Sequence, residues 1–247
     1  LAQGIAGILC FIYAVKKYSY FEMAVKKAKF DRSMAKEILK ICIPMGFQYS
    51  FIYLSNCILQ WVINGFGESV IGAFTATSQI ENLIQQPFMA LGTAMATYTG
   101  QNIGAGKTDR IKQGLFSALK ICAVYSLLLA VTFWLFGRTI MNIFVSDTAI
   151  IENAVKGIHI TSIFFIALGM AQILRYLLNG AGDSGYSMMN GILEIVCRLV
   201  FVFVLTNISF IGQWGIWWTT ALTWICTTLF ALCRFMGGKW KNRGIAK

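Results

Sequence analysis

The sequence predicts an all-α polytopic membrane protein, with six full transmembrane helices preceded by the end of a truncated one. Three observations carry that prediction. Hydrophobic residues make up 57% of the 247 and charged residues only 13%, a balance that a water-facing surface does not sustain at this length. Apolar runs at 1–15, 41–63, 70–98, 115–137, 158–178, 187–206 and 214–234 are separated by polar segments, and all but the first approach the ~20 residues a helix needs to cross a ~30 Å hydrocarbon core. Finally, if residues 16–40 are cytoplasmic, alternation puts Lys107, Arg110, Lys112, Arg175, Lys239, Lys241, Arg243 and Lys247 on the same inner side. The outer loops keep only Arg138 and Lys156 as basic groups, beside Glu68, Asp147 and Glu152. This is the positive-inside asymmetry, so the net charge of +11 reflects topology and anionic lipid rather than nucleic acid.

Taken in order, residues 1–15 read as the end of a span whose start is cut off, since Leu1 is not an initiator methionine and Lys16 and Lys17 follow the apolar run. A secretory signal places its positive charge before the apolar stretch. Residues 16–40 are basic, with Phe21, Met23, Val25 and Phe30 interleaved, and read as a cytoplasmic linker. Asp31 or Ser33 can cap the helix that follows. Residues 41–236 form the six-span body, and 237–247 a basic cytoplasmic tail. Between the spans, Ser146 or Asp147 can cap a helix entering obliquely, and Trp214, Trp217 and Trp218 suit an aromatic belt at the outer interface.

Two inner loops are alike. The helix exit Gly100, Gln101, Asn102, Gly104, Gly106 and the exit Gly180, Gly182, Asp183 both carry Gly-Ala-Gly, which permits left-handed backbone and sharp reversal. Neither is a nucleotide loop. Gly100 and Gly106 are separated by five residues where a phosphate loop needs four, and no strand precedes the GxGxxG of Gly180, Gly182 and Gly185.

The polar residues inside apolar runs carry the functional reading, because a charge at the bilayer centre costs ~2.5–3.5 kcal/mol even on lenient scales. Thr77, Ser78, Glu81, Asn82 and Gln85 share one side of a helix, with Pro87 positioned to kink it. Tyr49, Tyr53, Asn56 and Gln60 follow one another at 4, 3 and 4 residues along a second helix, with Gln48 near its inner end. Glu194 and Arg198, four apart, can neutralise each other inside the bundle. Such stripes either line a wet substrate path or are satisfied by neighbouring helices. Glu81 is the candidate for cation or proton coupling, and Tyr49, Tyr53, Asn56, Gln60, Ser78, Asn82 and Gln85 are the cavity candidates. No HExxH or GxSxG occurs, His159 is the only histidine, and the seven cysteines form no CxxC pair, so neither catalytic residues, a metal site nor a cofactor is expected.

The stretches "MALGTAMATYTGQNIGAGK", "RYLLNGAGDSG", "SDTAIIENAVKGIHI" and "GILEIVCRLVF" together resemble the C-terminal half of multidrug and toxic compound extrusion (MATE) transporters. The resemblance covers essentially the whole chain. It implies a six-helix lobe joined by the 16–40 linker to a missing N-terminal six-helix lobe, in the plasma membrane with a cytoplasmic C-terminus. It also implies export of cationic or amphipathic compounds in exchange for Na⁺ or H⁺ by alternating access. Two acids of the family's NorM branch are absent: their positions fall at Ile52, eight residues after Pro44, and near Gly169, which leaves Glu81 as the replacement. A lipid-linked saccharide flippase of the same superfamily is the second reading, weakened because the named cavity positions include no basic residue. A non-transporting membrane fragment is the third.

Overall fold

Within lipid there is no water to pair a backbone N–H or C=O, so an apolar chain satisfies them within its own helices. The computed structural model describes residues 2–18 and 30–242, and among these every regular element is helical. Eight α-helices follow in order: α1 Ala2–Lys17, α2 Arg32–Ile63, α3 Glu68–Gly104, α4 Thr108–Phe144, α5 Thr148–Ser162, α6 Phe165–Gly180, α7 Ser184–Asn207 and α8 Gly215–Met236. Four of them, α2, α4, α7 and α8, are long and apolar enough to cross a membrane, and the bent pair α5–α6 supplies a fifth crossing if counted as one span. Helix α3 has the length, at 37 residues, but its polar side chains lower its mean hydropathy and it falls outside that set.

The residues form two compact units, Leu1–Leu39 and Lys40–Lys247. In the first, α1 buries no residue and exposes Ile5, Ile8, Leu9 and Phe11. The start of α2 is capped by Asp31, whose carboxylate accepts from the backbone N–H of Ser33 at 2.8 Å and Met34 at 3.2 Å. Helix α2 therefore begins at Arg32, nine residues before the apolar run at 41 that marks it in the sequence. Phe21, Met23 and Val25 of the expected linker lie outside the described residues, as do Arg243 and Lys247 of the tail.

In the second unit the connections are shorter than the sequence suggests, because helices extend beyond the hydrocarbon-length runs. Helix α4 continues to Phe144 and α5 starts at Thr148, so the expected outer loop around 137–157 reduces to three residues. Asp147 caps α5, accepting from Ala149 N at 2.8 Å and Ile150 N at 3.3 Å. Helix α3 runs through Pro87 without a break. A bend of 57° separates α5 from α6.

Helices α3 and α6 pack most extensively, and glycine is the reason they can. A Cβ at Gly180 would collide with the backbone of Ala96, and one at Gly92 would come within 2.7 Å of the Tyr176 ring. Close backbone approach of this kind is how helices associate where lipid supplies little hydrophobic drive. Both glycine loops end their helices identically. Gly106 N donates to Ile103 O at 3.0 Å and Lys107 N to Asn102 O at 2.8 Å. In the other loop, Gly182 N donates to Asn179 O at 3.0 Å and Asp183 N to Leu178 O at 3.0 Å. With φ of 71° and 77° at Gly106 and Gly182, these are Schellman caps. Asn102 adds a bond from its side chain to Tyr98 O at 2.8 Å, while Gln101 and Gly104 are exposed and Gly100 faces the carbonyl of Gly180. Asp183 binds Arg234 Nε at 2.6 Å, which ties the α6–α7 turn to the end of α8.

One expectation from the sequence is corrected here. Trp217 is buried rather than part of an interfacial belt: Gly157 makes room for its indole, and Nε1 donates to Thr77 Oγ1 at 3.2 Å. In the tail, Trp240 is buried and stacks on Phe235 with centroids 5.2 Å apart.

Candidate functional site

The polar stripes of α2 and α3 and the charged face of α7 converge on one cavity of about 590 Å³, within the size range of small-molecule sites. The coupling candidate and the seven cavity candidates named from the sequence line it: Tyr49, Tyr53, Asn56 and Gln60 from α2, and Ser78, Glu81, Asn82 and Gln85 from α3. Glu194 and Arg198 enter from α7, Gln172, Arg175 and Tyr176 from α6, and Thr220, Trp224 and Thr227 from α8. Thr77, placed on the same stripe by spacing, is instead turned towards α8 and buried under Trp217.

The walls are cross-linked by polar groups. Gln172 Nε2 donates to Gln85 Oε1 at 3.2 Å, joining α6 to α3, and the Tyr49 hydroxyl lies 3.4 Å from that of Tyr176, joining α2 to α6. Gln60 donates to Asn64 at 2.9 Å. Helix α8 places threonines in the apolar interior, and their hydroxyls return to the helix itself, Thr223 to Thr219 O at 2.7 Å and Thr227 to Thr223 O at 2.9 Å. Such back-bonding meets the donors of Thr223 and Thr227 within the helix, whereas the buried Thr219 hydroxyl has no hydrogen-bond partner. Thr228 reaches across to Ala167 O of α6 at 2.8 Å. Sequence reasoning overlooked this threonine face.

The charges divide into two arrangements. Glu194 sits between two guanidiniums, Arg175 at 3.0 Å and Arg198 at 3.3 Å, and all three side chains are under 10% exposed. Arg198 also donates to Asn56 Oδ1 of α2, so the cluster ties α2, α6 and α7 together. Arg175 is thus no loop charge, as its place near a span end suggested, but an interior partner. With Arg198 it also corrects the expectation of a cavity lacking basic groups. Glu81, in contrast, is 8% exposed and its Oε1 has no hydrogen-bond partner. The Thr161 hydroxyl of α5 stands beside it.

Ile52 and Gly169, at or near which the resemblance implied the missing acids, differ in their surroundings. Ile52 lines the cavity, so a carboxylate there would have faced it. Gly169 has no room for one: an added Cβ would come within 2.6 Å of the Phe88 ring and collide with Cys122. Among the described residues no group of three His, Cys, Asp or Glu side chains is placed to hold a metal ion.

Comparison with known proteins agrees with this architecture. The MatE family model matches residues 44–204. The probable multidrug resistance protein YpnP of Bacillus subtilis is 27% identical over 242 residues, covering 98% of this chain and 54% of the relative. The FAD transporter of Shewanella oneidensis is 25% identical over 182 residues, 72% of this chain and 39% of the relative. Among solved structures, MATE in complex with MaL6 superposes with a TM-score of 0.82 at 17% identity, covering 92% of this chain and 53% of that one. MATE in the bent conformation gives a TM-score of 0.79 at 18% identity, covering 89% and 49%. The chain spans about half the length of the curated relatives it matches. With the family model covering well over half of its residues, the chain belongs to the MatE family of membrane transporters.

Proposed function

We propose that the chain forms the C-terminal lobe of a secondary-active exporter that moves cationic or amphipathic small molecules out of the cell in exchange for Na⁺ or H⁺. Its partner would be an N-terminal six-helix lobe, and its setting the plasma membrane with the C-terminus cytoplasmic. The observation that carries this reading is the convergence of the polar stripes on one cavity that contains a buried carboxylate, Glu81, one oxygen of which has no hydrogen-bond partner. A buried acid with one oxygen left open can exchange a proton, a metal cation and a substrate ammonium group, so the occupants compete for it, as exchange requires. The named amides and hydroxyls would orient the substrate. Alternating access follows if Glu81 occupancy shifts the balance between outward-open and inward-open lobe arrangements.

The saccharide flippase is not favoured. The arginines are tied to Glu194, which leaves one surplus positive charge against a pyrophosphate that carries more than one negative. The exporter reading is tested by Glu81→Gln in the full-length protein, scoring dye efflux with and without imposed Na⁺ and proton gradients. Ion-driven efflux should fall about tenfold or more, the scale of one lost charge-assisted contact, with membrane insertion unchanged. Efflux equal to that of the unmodified protein removes Glu81 from the mechanism.

A further inference from the structure

The Arg175–Glu194–Arg198 cluster does more than a closed ion pair requires. One carboxylate bonded by two guanidiniums leaves a surplus of one positive charge, and all three side chains are under 10% exposed yet line the cavity. Arg175 Nε and Arg198 Nε are buried and have no hydrogen-bond acceptor. Buried guanidinium N–H groups without acceptors are costly, and a planar fork of donors matches a carboxylate or phosphate edge. A purely structural pair would be cheaper with one arginine, because a lone Arg–Glu couple is already neutral.

We propose that this cluster is an acid-group subsite: the transported amphiphile carries a carboxylate or comparable organic anion that docks on Arg175 and Arg198 and supplies the negative charge Glu194 alone does not. The subsite is built from α6 and α7, while Glu81 projects from α3 into the same cavity. A substrate bearing both an acid and a cationic group can therefore engage both at once, the acid on the guanidiniums and the cation at Glu81. The inference rests on the exporter reading for the word "transported", but binding tests it independently.

The probe is rhodamine B and its ethyl ester, which share one cationic chromophore and differ in whether the carboxylate is free. Binding of each to the purified full-length protein in phosphatidylcholine nanodiscs is read by fluorescence polarisation. The acid should bind about tenfold more tightly than the ester, the scale of one charge-assisted contact. Arg198→Gln leaves Arg175 and Glu194 as a balanced pair, so it should bring that ratio to about one with ester affinity retained. Arg175→Gln should act the same way, and Arg198→Lys should keep part of the preference because the charge remains. Equal binding of acid and ester to the unmodified protein, or no binding of the acid, overturns the proposal. A preference that survives both single glutamine variants overturns it as well. A preference that vanishes when phosphatidylglycerol replaces phosphatidylcholine assigns the arginines to lipid headgroups and overturns the substrate assignment. Binding with the expected ratio but no efflux of either dye defeats the exporter reading alone.

Discussion

Two acids face one cavity and are held in opposite ways. Glu194 on α7 is clamped by Arg175 and Arg198 at 3.0 and 3.3 Å, whereas Glu81 on α3 has an oxygen with no hydrogen-bond partner. The difference teaches that burial alone does not assign a role. A clamped carboxylate is bound to its charge state by neighbours that would be stranded without it. An unclamped one can change partner, which is what a coupling site must do.

The largest effect expected from breaking this contrast is on stability at the clamped site. Glu194→Gln leaves two guanidiniums facing each other in the interior, and removal of one partner from a buried pair costs ~3–5 kcal/mol. Thermal unfolding in detergent should show it as a markedly lowered midpoint, and an unchanged midpoint would mean that the clamp is solvated. A smaller loss is expected at the seam that positions the two walls. Gly180→Ala forces a methyl group into the Ala96 backbone, and overpacking of this kind costs ~1–3 kcal/mol. The same assay should rank it below Glu194→Gln. The least effect on stability belongs to Glu81→Gln, since no fixed ion or hydrogen-bond partner of Oε1 is lost, even though its effect on efflux should be large. A Glu81 variant that unfolds as readily as the Glu194 one would erase the distinction.

Much of this was readable in the sequence for physical reasons. Hydrocarbon thickness sets the length of an apolar run, so α2, α4, α7 and α8 announce themselves as crossings. Helical spacing placed Tyr49, Tyr53, Asn56 and Gln60 on one face, and all four line the cavity. Asp147 and the two Gly-Ala-Gly loops announce helix ends through local backbone bonding alone. What escaped depends on tertiary neighbours. No proline or glycine marks the bend at Ile163 and Phe164, so 158–178 reads as one continuous span. Arg175 stands close before the exit glycine Gly180, and that nearness to a helix end makes it read as a loop charge. Nothing local shows that Glu194 waits across the α6–α7 interface. Trp217 escaped for a similar reason, since its burial depends on Gly157 of α5, far away in the chain.

The central claim is that the polar side of α3 faces water while its opposite side faces lipid. The most direct measurement is cysteine labelling in the full-length protein, after replacement of the exposed native cysteines, with single cysteines placed at Ser78, Asn82, Gln85 and Leu83 and a membrane-impermeant maleimide as reagent. The account predicts labelling at Ser78, Asn82 and Gln85, which line the cavity, and protection at Leu83, whose exposed side chain points away from it. Labelling at Leu83 with protection at the other three would contradict it.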